Sequence, residues 1–211
     1  MVGYKGKPYV ITARHALMPE HLVPICVFPS DTSHQLIPLK DVFFVPREEE
    51  SEDFVDLAVI EIDTKRITHP EVAQTTIIDL ELVCEEWKRH AKEAQFFILG
   101  YPEERSIIND DTQELRTDRV ALFGRYGGFS PFPYIHLFCV SDSLGLRTFS
   151  GFSGGPVFAW VERPEERPVA ALCGMALRGT PESGLFYFLD SDVLLDALAV
   201  KRRLEQESVQ E

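Results

Sequence analysis

Ser153 lies in the stretch TFSGFSGGPVF (148–158), where Gly151, Gly154 and Gly155 surround a single hydroxyl. Glycine lets the backbone turn sharply and lets another segment come close, so the stretch predicts a tight turn that displays Ser153. A displayed serine is either an ordinary turn residue or a nucleophile, and this pattern alone does not decide between them. A nucleophilic serine needs a histidine that takes its proton and a carboxylate that orients the imidazole. A catalytic role for Ser153 therefore depends on the histidines and carboxylates elsewhere in the chain.

The order of the candidate residues along the chain narrows the serine-hydrolase folds that this sequence could have. GFSGG matches the G-x-S-x-G pattern of α/β-hydrolases, but in that fold a histidine follows the serine, and here the last histidine is His136. The subtilisin order needs an aspartate before the histidine on an alternating α/β chain, which the strand-rich pattern of this sequence disfavours. The remaining order is histidine, aspartate, serine, which enzymes built from two β-barrels use.

Two residues fit that order. VITARHAL (10–17) puts His15 just after an apolar, β-branched run, where an imidazole at a strand end can serve as a general base. DFVDLAVIEI (53–62) puts Asp56 immediately before an apolar strand, and a buried carboxylate there needs a partner such as an imidazole N–H. Found alone, they would more simply be a surface histidine and an aspartate at a strand start. Their order around a displayed serine favours the catalytic interpretation.

The elements that must position these residues are mostly strands. Short apolar or alternating runs separated by turn residues predict strands and indicate barrels or sandwiches. These runs cover 8–13, 21–29, 35–46, 56–63, 94–102, 119–126, 134–141, 155–162, 168–179 and 184–190. Only 80–94 and a C-terminal segment, with Ser191 or Asp192 as its candidate cap, have helical spacing. The acidic run 47–53 is most simply a solvated connection.

Composition and charge bound the function. The 211 residues are 45% hydrophobic, which is enough for one large core or two small ones. The net charge of −13 repels nucleic acids and anionic membranes, so neither is an expected partner. No apolar run is long enough to span a membrane, and the N-terminal segment lacks the apolar core of a secretory signal.

The cysteines indicate the compartment. They are scattered, with no C-x-x-C pair and no zinc-ligand spacing, so we expect buried thiols, a reducing cytoplasmic location and no metal. These residues are Cys26, Cys84, Cys139 and Cys173.

Three motifs, which carry His15, Asp56 and Ser153 in that order along the chain, resemble those of the trypsin-like serine peptidases, which have the chymotrypsin fold. VITARHAL resembles the family's T-A-x-H motif, DLAVIEI its D-[IL]-A-x-[IL] motif, and GFSGGPVF its G-x-S-G-G-P motif. FILGYP is similar to the segment that opens the second barrel in bacterial members, and GMALRG to the strand that lines the specificity pocket. The resemblance covers nearly the whole chain.

The resemblance implies an all-β protein of two six-stranded antiparallel barrels packed together, with a linking helix and a C-terminal helix. The implied domains are an N-terminal barrel (1–79), the linking helix (80–94), a second barrel (95–190), and a helix and tail (191–211). The N-terminal barrel would carry His15 and Asp56, and the second barrel would carry Ser153.

The resemblance also implies a role for each site residue in hydrolysing a polypeptide substrate. Ser153 would attack a peptide carbonyl, while His15 would act as general base and Asp56 would hold the imidazole. The backbone N–H groups of Gly151 and Ser153 would form the oxyanion hole, and no cofactor is required. The implied substrate-binding residues are Arg147 at the pocket floor, Arg178 on the wall strand, and Gly179 and Gly184 as small wall residues.

Arg147 and Arg178 predict the cleavage preference. A cation in a partly desolvated pocket favours an anionic side chain, so we expect cleavage after Glu or Asp. The alternative, that both arginines point to solvent and offset the net charge, stays open.

The departures from the family's pattern bear on regulation and on other functions. Phe152 stands where the secreted digestive enzymes have an aspartate, so we expect control by substrate access or by a regulatory partner rather than by a released amino terminus. Only fourteen residues precede His15, where the family has at least one more strand, which predicts an unpaired sheet edge near 7–13. A pseudo-peptidase that binds peptides or acts as a scaffold, and an esterase with the same triad, remain alternatives.

Overall fold

The structure, a computed structural model, describes residues 1–17, 27–29, 33, 35–45, 56–73, 77–80, 87–109, 111, 114–162 and 167–207. The chain divides into two compact units. The first is Met1–Leu82 with Leu194–Glu211, and the second is Val83–Val193.

The first unit contains a five-stranded sheet. Its strands are β1 (Val2–Tyr4), β2 (Lys7–Thr12), β3 (Leu39–Phe44), β4 (Ala58–Ile62) and β5 (Ile78–Asp79), in the order β3-β4-β2-β1-β5. Every residue of β4 is buried. Four of them are apolar and face both sides of a central strand, and the fifth, Glu61, accepts a hydrogen bond from Lys40 at 3.0 Å. A 3-10 turn at Arg14–Leu17 follows β2, and a short helix α1 spans Pro70–Ala73.

The sheet corrects one expectation about the N-terminal part of the chain, and a second expectation stays a prediction. β2 is not an unpaired edge, because it pairs with β1 on one side (Val2 opposite Tyr9) and with β4 on the other (Tyr9 opposite Glu61). The expected closed N-terminal barrel is not seen in the ranges that the structure describes, where the five strands form an open sheet. Its outer strands there are β3 and β5, and β5 pairs with β1 in parallel.

The second unit is a closed six-stranded antiparallel barrel, which confirms a barrel in this half of the chain. The barrel strands are β6 (Gln95–Gly100), β9 (Val120–Phe129), β10 (Ile135–Val140), β11 (Pro156–Val161), β12 (Val169–Thr180) and β13 (Leu185–Asp190). Going round the barrel, the strand order is β10-β13-β12-β11-β6-β9. A core of aromatic side chains, including Phe96, Phe138 and Phe186, fills the interior. A separate two-stranded sheet pairs β7 (Ser106–Asn109) with β8 (Glu114–Thr117).

Both segments with helical spacing contain helix. Within 80–94, Leu80 is helical and helix α2 spans Trp87–His90, while 81–86 lie outside the described residues. The C-terminal helix α3 spans Ser191–Glu207 and confirms the prediction. The cap of α3 differs from the expectation: the Asp190 side chain accepts the N–H of Asp192 at 3.0 Å, so Asp190 rather than Ser191 or Asp192 caps the helix.

The predicted strands agree with the structure wherever most of their residues are described. Four strands were not predicted, because they are too short for periodicity to reveal: β1, β5, β7 and β8. The expected strand 21–29 lies mostly outside the described residues, and 27–29 are not in a strand. The acidic run 47–53, Cys26 and Cys84 also lie outside them. Cys173 is buried and Cys139 half-buried, and none of the helices described here is long and apolar enough to cross a membrane.

Candidate active site

His15 and Asp56 are held together within the first unit. His15 lies in the 3-10 turn after β2, and Asp56 lies two residues before β4, the strand that pairs with β2. The Asp56 carboxylate makes two contacts with residue 15: Oδ1 accepts the backbone N–H of His15 at 3.0 Å, and Oδ2 bonds with Nδ1 of the ring. The backbone N–H of Arg14 donates to the Asp56 carbonyl at 3.2 Å. Adjacent strands therefore bring these two parts of the chain together.

This arrangement prepares the imidazole for proton transfer. Since Asp56 occupies Nδ1, the ring carries its proton there and leaves Nε2 as the acceptor. The carboxylate is mostly shielded, with 16% of its side chain exposed, whereas 56% of the His15 side chain is exposed. The pair therefore presents a basic nitrogen to its surroundings from an oriented ring.

Ser153 lies in a tight turn in the second unit, between Phe149 and β11. Gly151 has φ +91° and Gly154 has φ +82°, in the left-handed region that favours glycine. A Cβ on Gly151 would lie 2.1 Å from the carbonyl oxygen of Tyr101, so only glycine fits there. The sequence prediction of a tight turn displaying Ser153 is confirmed, with the serine half-buried.

Hydrogen bonds join the Ser153 turn to β12. The N–H of Gly154 donates to the carbonyl of Ala176 at 2.8 Å, and the N–H of Ala176 donates to the carbonyl of Gly155 at 2.8 Å. The Ser153 hydroxyl donates to the carbonyl oxygen of Leu177. In this structure, therefore, the serine proton is engaged by a backbone acceptor.

Two N–H groups of the turn are available to a ligand. In the described part of the chain, neither the Gly151 nor the Ser153 N–H donates to a protein acceptor, whereas the Phe152 N–H between them donates to Phe149 at 3.3 Å. Paired amide donors of this kind can stabilise an oxyanion. Both belong to the residues that the resemblance implies for the oxyanion hole.

Phe152 anchors the turn from the inside. Its side chain is fully buried and makes edge-on contacts with the rings of Phe149 and Phe186. Gly100 makes room for it, since a Cβ there would lie 2.4 Å from the Phe152 ring. A phenylalanine immediately before the serine thus packs the turn onto the barrel core.

Arg147 does not have the surroundings of a pocket floor. Its side chain is 88% exposed, and its Nε lies 3.3 Å from Oε2 of Glu104. The expectation of a partly desolvated cation is wrong for this residue, and the alternative in which it points to solvent describes it better. The acidic cleavage preference loses its main support.

The other implied pocket residues lie on or beside the β12–β13 hairpin. Arg178 is exposed on β12, with its guanidinium 5.9 Å from the ring centre of Tyr187. Gly179 follows it, where a Cβ would lie 2.5 Å from the Leu185 carbonyl oxygen. Gly184 ends the turn with φ +63°. The two glycines therefore serve close strand pairing and a turn.

A second histidine–carboxylate pair, not predicted from the sequence, lies in the second unit. His136 Nε2 lies 2.8 Å from Asp190 Oδ2, and the Tyr126 hydroxyl lies 2.8 Å from His136 Nδ1. Lys88 also contacts Asp190, at 2.9 Å. Burial alone would raise the pKa of Asp190, but the hydrogen bonds from His136, the Asp192 N–H and Lys88 lower it to about 2. A histidine within an apolar strand was the available signal, and its buried surroundings give it a structural role.

The structure brings His15 and Asp56 together in one unit, and Gly151 and Ser153 in the other. Among the described residues, no group of three or more histidine, cysteine, aspartate or glutamate side chains could hold a metal ion. No protein-family model matches this sequence, and the comparison with curated proteins finds no match. Membership of the trypsin-like family therefore stays a prediction.

Proposed function

We propose that this protein is a serine endopeptidase with Ser153 as nucleophile, His15 as general base and Asp56 as the residue that orients the base. The observation that carries the proposal is the two-point contact of Asp56 with the ring and the backbone of His15. A surface histidine with only a structural role does not need its tautomer set by a shielded carboxylate. The glycine turn around Ser153 gives independent support.

The proposed reaction proceeds through an acyl-enzyme. His15 Nε2 takes the hydroxyl proton of Ser153 while Oγ bonds to the peptide carbonyl carbon, and the oxygen of that carbonyl gains the negative charge. The N–H groups of Gly151 and Ser153 stabilise this charge, by about 3 kcal/mol per donor in comparable sites. The C–N bond then breaks as His15 returns the proton to the leaving amine. Water repeats the sequence and releases the carboxylic acid and Ser153.

Catalysis requires the Ser153 hydroxyl to exchange its partner. Its proton is donated to the Leu177 carbonyl in this structure and must be donated to His15 during the reaction. The same bond favours the alternative function, a pseudo-peptidase that binds a peptide and leaves it intact. The proposal extends to the double-barrel architecture, for which the closed barrel of the second unit is the support. It extends also to a reducing compartment, from the cysteine pattern.

Covalent labelling of Ser153 tests the proposal. A fluorophosphonate reacts only with a serine that an adjacent base activates, so the wild type should form an adduct at Ser153, located by mass spectrometry of the peptides. Ser153→Ala and His15→Ala should abolish the adduct. Ser141→Ala, which removes an exposed serine at the end of β10, is the matched control and should label like the wild type.

The labelling results separate the candidate functions. No adduct at Ser153 in a folded wild type, together with retained peptide binding, would support the pseudo-peptidase. An adduct together with turnover of esters and no cleavage of a peptide library would support an esterase. Cleavage of library peptides that is lost in Ser153→Ala supports the endopeptidase. The same library reads the residue preferred before the cut.

A further inference from the structure

The segment Tyr101–Arg105 lies along the loop that leads into the Ser153 turn, within the second unit. After β6, the chain forms a 3-10 turn at Glu103–Arg105. Two backbone hydrogen bonds join this segment to the loop: Tyr101 N–H to Gly151 carbonyl at 3.0 Å, and Glu103 N–H to Ser150 carbonyl at 3.2 Å. The carbonyls of the two residues that begin the turn are thus both held by the same short segment.

Each side chain of the 3-10 turn adds a contact to a different point of the loop. Glu103 Oε2 accepts the Ser150 hydroxyl at 2.8 Å, and Glu104 Oε1 accepts the backbone N–H of Arg147 at 2.9 Å. Arg105 donates to the Leu144 carbonyl at 3.1 Å. Three consecutive side chains therefore hold the loop at residues 144, 147 and 150.

The loop needs such support because part of its backbone is strained. Leu144 has φ +54°, a left-handed conformation that costs a non-glycine residue free energy and persists only when its surroundings hold it. Its N–H donates to Asp142 at 2.8 Å, and its carbonyl accepts from Arg105. Few buried side chains of the loop contribute, since Leu146 and Phe149 are buried while most of its other residues are exposed.

We propose that Glu103, Glu104 and Arg105 are positioning residues that hold the Gly151 N–H group in place for the oxyanion. The inference rests on the proposed function. Fixing the Ser150 carbonyl sets the orientation of the peptide plane between Ser150 and Gly151. The Gly151 N–H belongs to the plane of the Ser150 carbonyl, so the bond from Glu103 to that carbonyl directly orients this donor.

Substitutions of Glu104 test the positioning role of this segment. Glu104→Ala removes the acceptor of the Arg147 backbone N–H, whereas Glu104→Gln keeps an oxygen for it. With a looser oxyanion hole, Glu104→Ala should lower kcat about tenfold and leave KM nearly unchanged, because the donors act on the transition state. Glu104→Gln should lose less. Glu162→Ala, which removes an exposed glutamate after β11, is the control.

Amide hydrogen exchange gives a readout that does not require turnover. Exchange at residues 149–154 should be faster in Glu104→Ala than in Glu162→Ala, with the barrel strands unchanged. If Glu104→Ala fails to fold, Ser150→Ala gives the same two measurements. It removes only the hydrogen bond between the Ser150 hydroxyl and the Glu103 side chain. Wild-type labelling of Ser153 with unchanged kcat and exchange in these variants would overturn the inference and leave the proposed function intact. Absence of wild-type labelling would overturn both.

Discussion

At the residue scale, Asp56 acts on His15 through two atoms at once. One carboxylate oxygen accepts the backbone N–H and the other bonds with Nδ1, so the ring cannot rotate without breaking a contact while the backbone stays fixed. The carboxylate also favours the tautomer with the proton on Nδ1. Orientation and tautomer are therefore set by one residue.

Asp56→Asn should separate these two effects. The carbonyl oxygen of the new carboxamide can still accept the His15 N–H, but its NH₂ group donates to Nδ1 and reverses the tautomer. We expect kcat to fall by about four orders of magnitude with an unchanged circular dichroism spectrum. Asp63→Asn, at the end of β4, is the control and should keep activity. A loss of less than about tenfold in Asp56→Asn would remove Asp56 from the mechanism.

Ser153 and His15 should act as one unit. Because the nucleophile and the base depend on each other, Ser153→Ala and His15→Ala should each remove nearly all turnover, and the double variant should be little worse than either. Single-turnover kinetics on one peptide substrate measure all three. Losses that add in the double variant would mean that the two residues contribute separately.

Asp190 should make the folded protein less stable at acid pH. Its pKa in the folded protein is about 2, below the ordinary 3.8, so its ionised form stabilises the fold above about pH 4. This contribution, about 2 kcal/mol, is lost as the pH falls towards 2 and the carboxylate takes a proton. Denaturant unfolding at several pH values should show the wild-type advantage over Asp190→Asn shrinking over that interval. A constant advantage would contradict the hydrogen-bonded carboxylate.

At the element scale, the Ser153 turn depends on a close approach between segments rather than on backbone conformation alone. Gly151 and Gly128 have similar φ values, +91° and +101°, but a Cβ would lie 2.1 Å from Tyr101 oxygen at Gly151 and would have no atom within 4 Å at Gly128. Substitutions at these two glycines therefore separate the cost of a positive φ from the cost of a steric clash.

Gly151→Ala should therefore cost more than Gly128→Ala. The alanine at 128 carries only the strain of a positive φ, about 1 kcal/mol, whereas the alanine at 151 must also push the Tyr101 backbone away. We expect a lower melting temperature and loss of Ser153 labelling in Gly151→Ala, and near wild-type labelling in Gly128→Ala. Equal effects of the two substitutions would mean that the contact with Tyr101 is unimportant.

At the scale of the whole molecule, the C-terminal helix belongs to two parts of the fold in succession. Its cap, Asp190, and its first residues lie in the second unit, and the helix from Leu194 onward belongs to the first. Within the first unit, Lys201 has only 5% of its side chain exposed, and its ammonium bonds with Asp41 on β3 and lies 3.8 Å from Glu205. The hydrogen bond from Lys201 also lowers the pKa of Asp41.

Removing Asp41, the acceptor, should lower the free energy of unfolding more than replacing Lys201, the buried charge. Asp41→Ala leaves a buried ammonium without its main acceptor and should lower the free energy of unfolding by about 1 to 3 kcal/mol. Lys201→Met keeps the apolar stem and should cost less. Denaturant titration of both variants gives the comparison. The opposite ranking would show that Lys201 stabilises the unit mainly through its charge.

The local features of this protein follow from its amino-acid sequence alone. Apolar periodicity located the strands that carry the site, because alternation reports which residues face a core. The glycines around Ser153 predicted its turn, because positive φ values and close backbone contact both select glycine. A strand-start carboxylate that needs a partner pointed to Asp56, and the structure pairs it with His15.

Which segments of the chain meet does not follow from the local sequence pattern. Whether β2 is an edge depends on its pairing with β1, which is too short to show periodicity, and so the expected edge was wrong. Whether Arg147 is a pocket floor depends on Glu104, which lies on another segment and holds the arginine in solvent. Strand partners and ion pairs are chosen by the folded chain as a whole, because many distant segments satisfy the same local pattern and only packing selects among them.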